Sequence, residues 1–187
     1  MKKSLHAAGK NAGFTIIELM VTMVLGAVLM AVGIPSVRTF LRNAELTSAS
    51  NNLIAAVNAA RGEAMKRGSN AMIIPKPGIG WSRGWVVFID QNRNGLYDPA
   101  GDITIFDQSL PADTSLAVSG SAAYLLFDPS GYAKTTGGGF SATTMTIKRT
   151  DVSDFSQIRR IKVAQTGRVR GCKPAADSDP NCSDVDD

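Results

Sequence analysis

The sequence predicts an α+β protein: one long N-terminal helix, membrane-spanning in its first half, packed on a mostly antiparallel β-sheet domain. Three observations predict it. From Leu19 to Val37 no charged residue occurs, and the run is almost wholly apolar. After Pro35, apolar residues recur at Leu46, Leu53, Val57, Ala60 and Ala64, spacings that repeat on one helical face. Beyond Gly68 the chain breaks into short runs rich in β-branched and aromatic residues, punctuated by Gly, Pro and Asn.

The elements follow in order. Residues 1–13 (MKKSLHAAGKNAG) are basic and polar and read as a leader. Residues 14–35 are long enough to cross a bilayer as a helix. A secretory signal peptide is the rival reading, but its apolar core is shorter and ends at a small-residue cleavage site. Here the apolar run flows straight into a patterned helix. Lys2, Lys3 and Lys10 place the N-terminus in the cytoplasm. Residues 36–67 continue as an amphipathic helix, ending at Arg67 with Gly68 as its C-cap. From Phe14 to Arg67 an unbroken helix would run about 80 Å. Pro35 lacks an N–H and is expected either to kink or locally melt the helix or to mark the end of the membrane span.

Residues 68–173 read as the β domain. Candidate strands are Ala71–Ile74, Trp85–Asp90, Ile103–Asp107, Leu116–Val118, Tyr124–Asp128, Thr143–Lys148 and Ile158–Ala164. Residues 174–187 form an acidic tail of low apolar content, expected on the surface.

The chain has 187 residues, enough for one globular domain plus an extension. Its formal charge of +4 misleads, because removal of the three leader lysines leaves 17 cations against 16 acids. Distribution matters more. Lys148, Arg149, Arg159, Arg160, Lys162, Arg168, Arg170 and Lys173 face only Asp151 and Asp154 across residues 148–173. The tail then turns acidic, with Asp177, Asp179, Asp184, Asp186 and Asp187.

Two cysteines, Cys172 and Cys182, close in sequence, suit a disulfide in an oxidising compartment. With one histidine, His6 in the leader, they cannot build a tetrahedral zinc site. Neither a usable histidine, nor a free cysteine nucleophile, nor a phosphate-cradling glycine loop is present, so no enzyme and no cofactor is expected.

Asp90, Asn92, Asn94 and Asp98 place oxygen ligands at alternate positions around Gly95, like the start of a calcium loop. The acid expected at the twelfth position is missing, since Gly101 stands there beside Asp102. A β-hairpin turn built from Asn and Gly is the favoured reading. Glu18 sits one turn into the apolar span. It lies either near the headgroups or inside a protein assembly that supplies a partner, and both fit its position.

In an extended segment, residues i and i+2 project to one side. Arg168 and Arg170 therefore point together, as do Arg160 and Lys162 one strand earlier, and Lys148 joins from the neighbouring strand. This makes a basic stripe suited to phosphate. A solvated basic face, or one neutralised by the acidic tail, is the alternative.

The stretch GFTIIELMVTMVLGAVLMAVGIP resembles the class III leader and N-terminal helix of type IV pilins and type II secretion pseudopilins. Gly84-Trp-Val-Val-Phe-Ile-Asp90, Leu126-Phe-Asp-Pro-Ser-Gly131 and Thr166-Gly-Arg-Val-Arg170 resemble marks of the GspH/FimT group within it, and the likeness covers nearly the whole chain. The resemblance implies the type IV pilin fold and cleavage by a prepilin peptidase between Gly13 and Phe14, with methylation of the new amine. It implies that Glu18 pairs with the amine of a neighbouring pilin subunit. It implies an inner-membrane protein whose C-terminal domain is periplasmic and which passes into a surface filament. FimT-type minor pilins bind DNA through a Gly-Arg-x-Arg motif during natural transformation, and Gly167-Arg168-Val169-Arg170 matches it. Sequence-independent DNA binding by Arg168, Arg170, Gly167, Arg160, Lys162 and Lys148 is the expectation. A GspH-like pseudopilin with a structural role and no DNA is the alternative.

Processing gives the first test. Mass spectrometry of the mature N-terminus should find methylated Phe14. An N-terminus still at Met1, or one beyond Pro35, excludes this reading.

Overall fold

The computed structural model describes residues 13–78, 80–111, 115–176 and 179–183. The leader up to residue 12 lies outside the described residues, as do the tail acids Asp177, Asp184, Asp186 and Asp187. Two compact units divide at Arg42/Asn43.

Helix α1 spans Ile16–Arg67, 52 residues. Its start is set by Thr15, whose Oγ1 accepts a hydrogen bond from the Glu18 backbone N–H at 3.2 Å. Thr15 followed three residues later by Glu18 is the capping-box spacing, so Glu18 also belongs to the helix start. Pro35 neither ends nor melts the helix, which the α1 hydrogen-bond pattern carries through it. Proline removes one hydrogen bond, to the Ala31 carbonyl, and the helix continues on both sides of it. The first unit exposes its apolar side chains, among them Phe14, Ile17, Val24, Leu29 and Phe40. By length and composition this part of α1 is able to cross a membrane.

The helix ends as the sequence predicts. Gly68 adopts φ 64° and the Ser69 N–H reaches back to the Ala64 carbonyl at 3.3 Å. That is the longer bond of a Schellman cap, and it requires the left-handed residue that glycine supplies.

Among the described residues the second unit contains nine strands: β1 (Asn70–Lys76), β2 (Gly80–Asp90), β3 (Ile103–Ser109), β4 (Leu116–Gly120), β5 (Leu125–Phe127), β6 (Ala133–Lys134), β7 (Thr143–Arg149), β8 (Ile158–Val163) and β9 (Val169–Cys172). They form two sheets rather than one. The first has the order β3-β2-β1-β5-β6 and the second β4-β7-β8-β9, and the paired strands are antiparallel. Strand β2 begins at Gly80, earlier than the sequence suggests. Strands β6 and β9 are too short to show as periodic runs.

One core joins both sheets to α1. Leu46, Leu53, Val57 and Ala60 of the helix pack with Trp85, Val87 and Phe127 of the first sheet and Ile147, Ile161 and Val163 of the second. A smaller cluster of Met72, Val86, Phe88 and Leu126 covers the other face of the first sheet, which explains why β2 is buried on both sides. Polar contacts fix the start of this half of α1. Arg149 is buried and ion-paired to Glu45, and to Asp151 at 2.8 Å. The Gln157 amide donates to Asn43 Oδ1 at 2.8 Å.

Leu53 is fully buried at the centre of this core. Leu53→Ala should cost about 2–5 kcal/mol. Thermal melting followed by circular dichroism should show a clearly lower midpoint, and an unchanged midpoint would contradict the packing described.

Candidate functional site

The hairpin between β8 and β9 carries the candidate site. Its loop is Gln165-Thr166-Gly167. The Gly167 N–H donates to the Ala164 carbonyl at 2.8 Å, and the Ala164 N–H donates to the Arg168 carbonyl at 2.9 Å. A turn followed by a left-handed residue is the three-residue hairpin pattern, and Gly167 sits at φ 76°. The β5–β6 hairpin repeats it: Gly131 bonds back to Asp128 at 2.9 Å and adopts φ 80°.

The two loops meet on α1. Arg61 Nε donates to the Gly131 carbonyl at 3.0 Å. A Cβ placed on Gly167 would fall 2.1 Å from that carbonyl oxygen and 2.8 Å from Arg61 Nε. The Ala133 N–H donates to the Gln165 carbonyl at 2.9 Å, tying the sheets together. Gly167 is therefore a structural residue, and its contacts orient the arginine that follows. Arg61 was not visible as a site residue in the sequence, where it looks like one more cation on the helix.

Registers group the cations in rows. Thr144, Lys162 and Arg170 lie opposite one another, then Thr146, Arg160 and Cys172, then Lys148 and Ile158. Opposed residues in an antiparallel sheet share a face, so these cations share the face predicted for them. Lys148 lies roughly 13 Å along the strand from the Lys162–Arg170 row.

Exposure separates them. Arg168, Arg170 and Lys148 are exposed. A cleft of about 40 Å³ lies between Arg168, Arg170, Lys162 and Thr143, with Val163 and Ala164. Arg160 and Lys162 are only 3% and 5% exposed, because the tail crosses over them. Cys182 is bonded to Cys172, with Cα atoms 5.8 Å apart, so the chain returns above β9 and β8. Arg160 Nη1 donates to the Cys182 carbonyl at 2.6 Å, Lys162 Nζ to Ser183 Oγ at 3.1 Å, and Arg170 Nη2 to the Asn181 carbonyl at 3.1 Å.

Asp179 organises the tail. Its carboxylate accepts the Ala175 and Asn181 N–H groups at 3.0 and 2.9 Å. These bonds, aided by the charge of Arg160, hold its pKa below the usual carboxylate value. Arg159 points its guanidinium at the carbonyls of Ser156 and Ile158, both at 2.8 Å, and burial pushes its pKa down.

The Asp90 loop spends its oxygens on its own backbone. Asp90 is buried and accepts from Asn94 and Gly95 N–H at 3.1 and 2.8 Å. Asp102 accepts from Gln91 and Asp98 N–H at 3.1 and 2.8 Å. Asn92 and Asn94 each bond to an N–H two residues on, and Asp98 does the same. This is a chain of Asx turns connecting β2 to β3, longer than a tight hairpin turn. Among the described residues, no group of three or more His, Cys, Asp or Glu side chains is placed to hold a metal. At the other end of the chain, Gly13, Phe14 and Glu18 are all exposed.

Comparison with known proteins places this fold. The family model for the type II transport protein GspH matches residues 49–167, well over half of the chain. The chain is a member of the GspH family. The prokaryotic N-terminal methylation motif matches residues 9–34, around Gly13 and Phe14. The crystal structures of the type IV minor pilin FimU of Pseudomonas aeruginosa share the fold. One crystal form gives TM-score 0.53 at 20% identity over 70% of this chain and 90% of that one. The other gives 0.52 at 18% identity, over 70% and 98%. The minor pseudopilin EpsH from the Type 2 Secretion System of Vibrio cholerae gives 0.49 at 14% identity, over 70% and 97%. Among curated protein sequences none matches significantly. The fold is thus that of a type IV pilin, and the GspH match stops at Gly167, one residue before the exposed arginines.

Gly167→Ala should destabilise the domain by at least about 2 kcal/mol, through strain at positive φ and collision with the Gly131 carbonyl. Gly138→Ala, at φ 86° but in open space, should cost less. Equal melting temperatures for the two variants would refute the Arg61–Gly131–Gly167 contact.

Proposed function

We propose that this GspH-family protein is a minor type IV pilin that takes part in pilus assembly and binds extracellular DNA for uptake in natural transformation. In this reading residues 14–35 anchor it in the bacterial inner membrane, N-terminus cytoplasmic and C-terminal domain periplasmic. A prepilin peptidase cuts between Gly13 and Phe14, and Glu18 meets the new amine of a neighbouring subunit as the filament grows. The role is structural and binding, not enzymatic.

The observation that supports DNA binding is the exposed pair Arg168 and Arg170, set on a hairpin whose turn is locked by Gly167. Guanidinium groups bind phosphate oxygens in a bidentate fork. Contacts of this kind give sequence-independent, salt-sensitive affinity. Lys148 adds a further cation on the same face. One observation favours the structural alternative, a type II secretion pseudopilin without DNA: the matching family model is that of a type II transport protein, and it ends before Arg168.

The test uses the mature chain in detergent micelles and a fluorescent DNA duplex. Replacing Arg168 and Arg170 together by Gln should weaken binding strongly and lower the log–log salt slope by about two. Arg38→Gln should leave binding unchanged. Transformation should fall in the double variant while pili are still made. Equal binding with both arginines replaced rejects the site. No binding by the unaltered protein at low salt favours the pseudopilin.

A further inference from the structure

The tail covers the basic face with consecutive residues. Asn181 faces Arg170, Cys182 faces Arg160 and Ser183 faces Lys162, through the three hydrogen bonds described above. Two carbonyls and one hydroxyl thus sit where phosphate oxygens would sit on the exposed end of the same face. A buried cation needs such acceptors, because leaving it unpaired away from water is costly. These acceptors are of the same chemical kind as phosphate oxygens, and Asp179 of the same tail adds a carboxylate whose charge couples to Arg160.

A covalent bond holds the cover in addition to these contacts. The tail 173–187 (KPAADSDPNCSDVDD) has one large aliphatic residue, Val185, and five aspartates, so it brings little apolar surface to bury. The Cys172–Cys182 disulfide fastens it, and Cys172 is the register partner of Arg160. The fastening point therefore lies beside the covered cation on the same face. Opening the disulfide leaves the tail attached at one end only and raises the number of conformations it can adopt.

We propose that Arg160 and Lys162 form a second, latent phosphate-binding row, which the disulfide-held tail occupies and which reduction of Cys172–Cys182 adds to the DNA surface. The proposal rests on the DNA-binding reading of Arg168 and Arg170 and assigns that site a redox-dependent regulation. The step is thiol–disulfide exchange: a dithiol gives up two electrons and two protons and closes its own disulfide, and Cys172 and Cys182 become two thiols.

Two readouts on the mature chain in detergent micelles test it, each on the oxidised protein, the protein reduced with dithiothreitol, and the Cys172→Ser/Cys182→Ser variant. The first is acylation of lysines by an amine-reactive ester, located by peptide mass spectrometry. Lys162 should react several-fold faster once the disulfide is open, while exposed Lys148 serves as the unchanged reference. Equal Lys162 rates overturn the cover. The second is the salt dependence of DNA affinity. Two added phosphate contacts should steepen the slope by about two, so that the affinity lost between about 50 and about 200 mM salt grows by roughly tenfold. Coincident slopes with binding retained overturn the latent row alone. Absence of binding in every state overturns the DNA reading and the row with it. If the double variant fails to fold by circular dichroism, a chain ended after Pro174 with Cys172→Ser removes the cover without touching strands β7 or β8. The same outcomes then decide.

Discussion

The second unit depends on one strip of α1. Leu46, Ala49, Leu53, Ala56, Val57, Ala60 and Ala64 are almost fully buried, and they form the surface against which both sheets close. The strip is mostly alanine, and that choice is physical: short side chains let the strands lie close and leave room for the bulk of Trp85, Phe127 and Ile161. Neither sheet has this core without the helix. The helix in turn has no reason to be amphipathic after Pro35 except to serve them, since packing of an apolar face rather than propensity stabilises most helices.

A polar contact gives this apolar strip its orientation. Arg61 follows Ala60 and reaches the Gly131 carbonyl, where the Gly167 turn also sits. Two hairpins from different sheets are thus referred to one helical side chain. Beyond Gly167, Val169 packs against the core while Arg168 and Arg170 on either side of it are exposed, so the arginines gain direction from a neighbour that the core holds.

Much of this was legible in the sequence because it is periodic or punctuated. The 3.6-residue repeat gave the buried face, Gly68 gave the helix end, and the Asn/Gly and Pro/Gly clusters gave the loops. The division into two sheets was not legible, because strand order is a long-range property. Nor was the fate of the cations. Of those between residues 148 and 173, Arg149 pairs with Glu45 and Asp151, Arg159 bonds local carbonyls, and Arg160 and Lys162 lie beneath the tail. Counting charge sees a stripe, but only the β8–β9 register, which sets Cys172 opposite Arg160, reveals that a partner cysteine must bring its chain across that stripe. At Pro35 a local rule allows melting, and the helix pattern instead runs through it, since one missing hydrogen bond is a small loss within 52 residues.

The GspH match ends at Gly167, a residue whose identity the fold dictates by its positive φ and its contact with the Gly131 carbonyl. Further along the same hairpin the fold also holds Val169, packed against the core, and Cys172, in the disulfide. Arg168 is exposed, and at such positions the backbone sets the direction of a side chain but not its chemistry. A fold of this type serves different partners through the residues it exposes. For this chain that surface is two guanidinium groups on a locked turn, with Arg160 and Lys162 beside them under a tail held by a single disulfide. Cations set in this way suit anions by charge and geometry, and the reach of the proposed surface is set by how much of the sheet the tail leaves open.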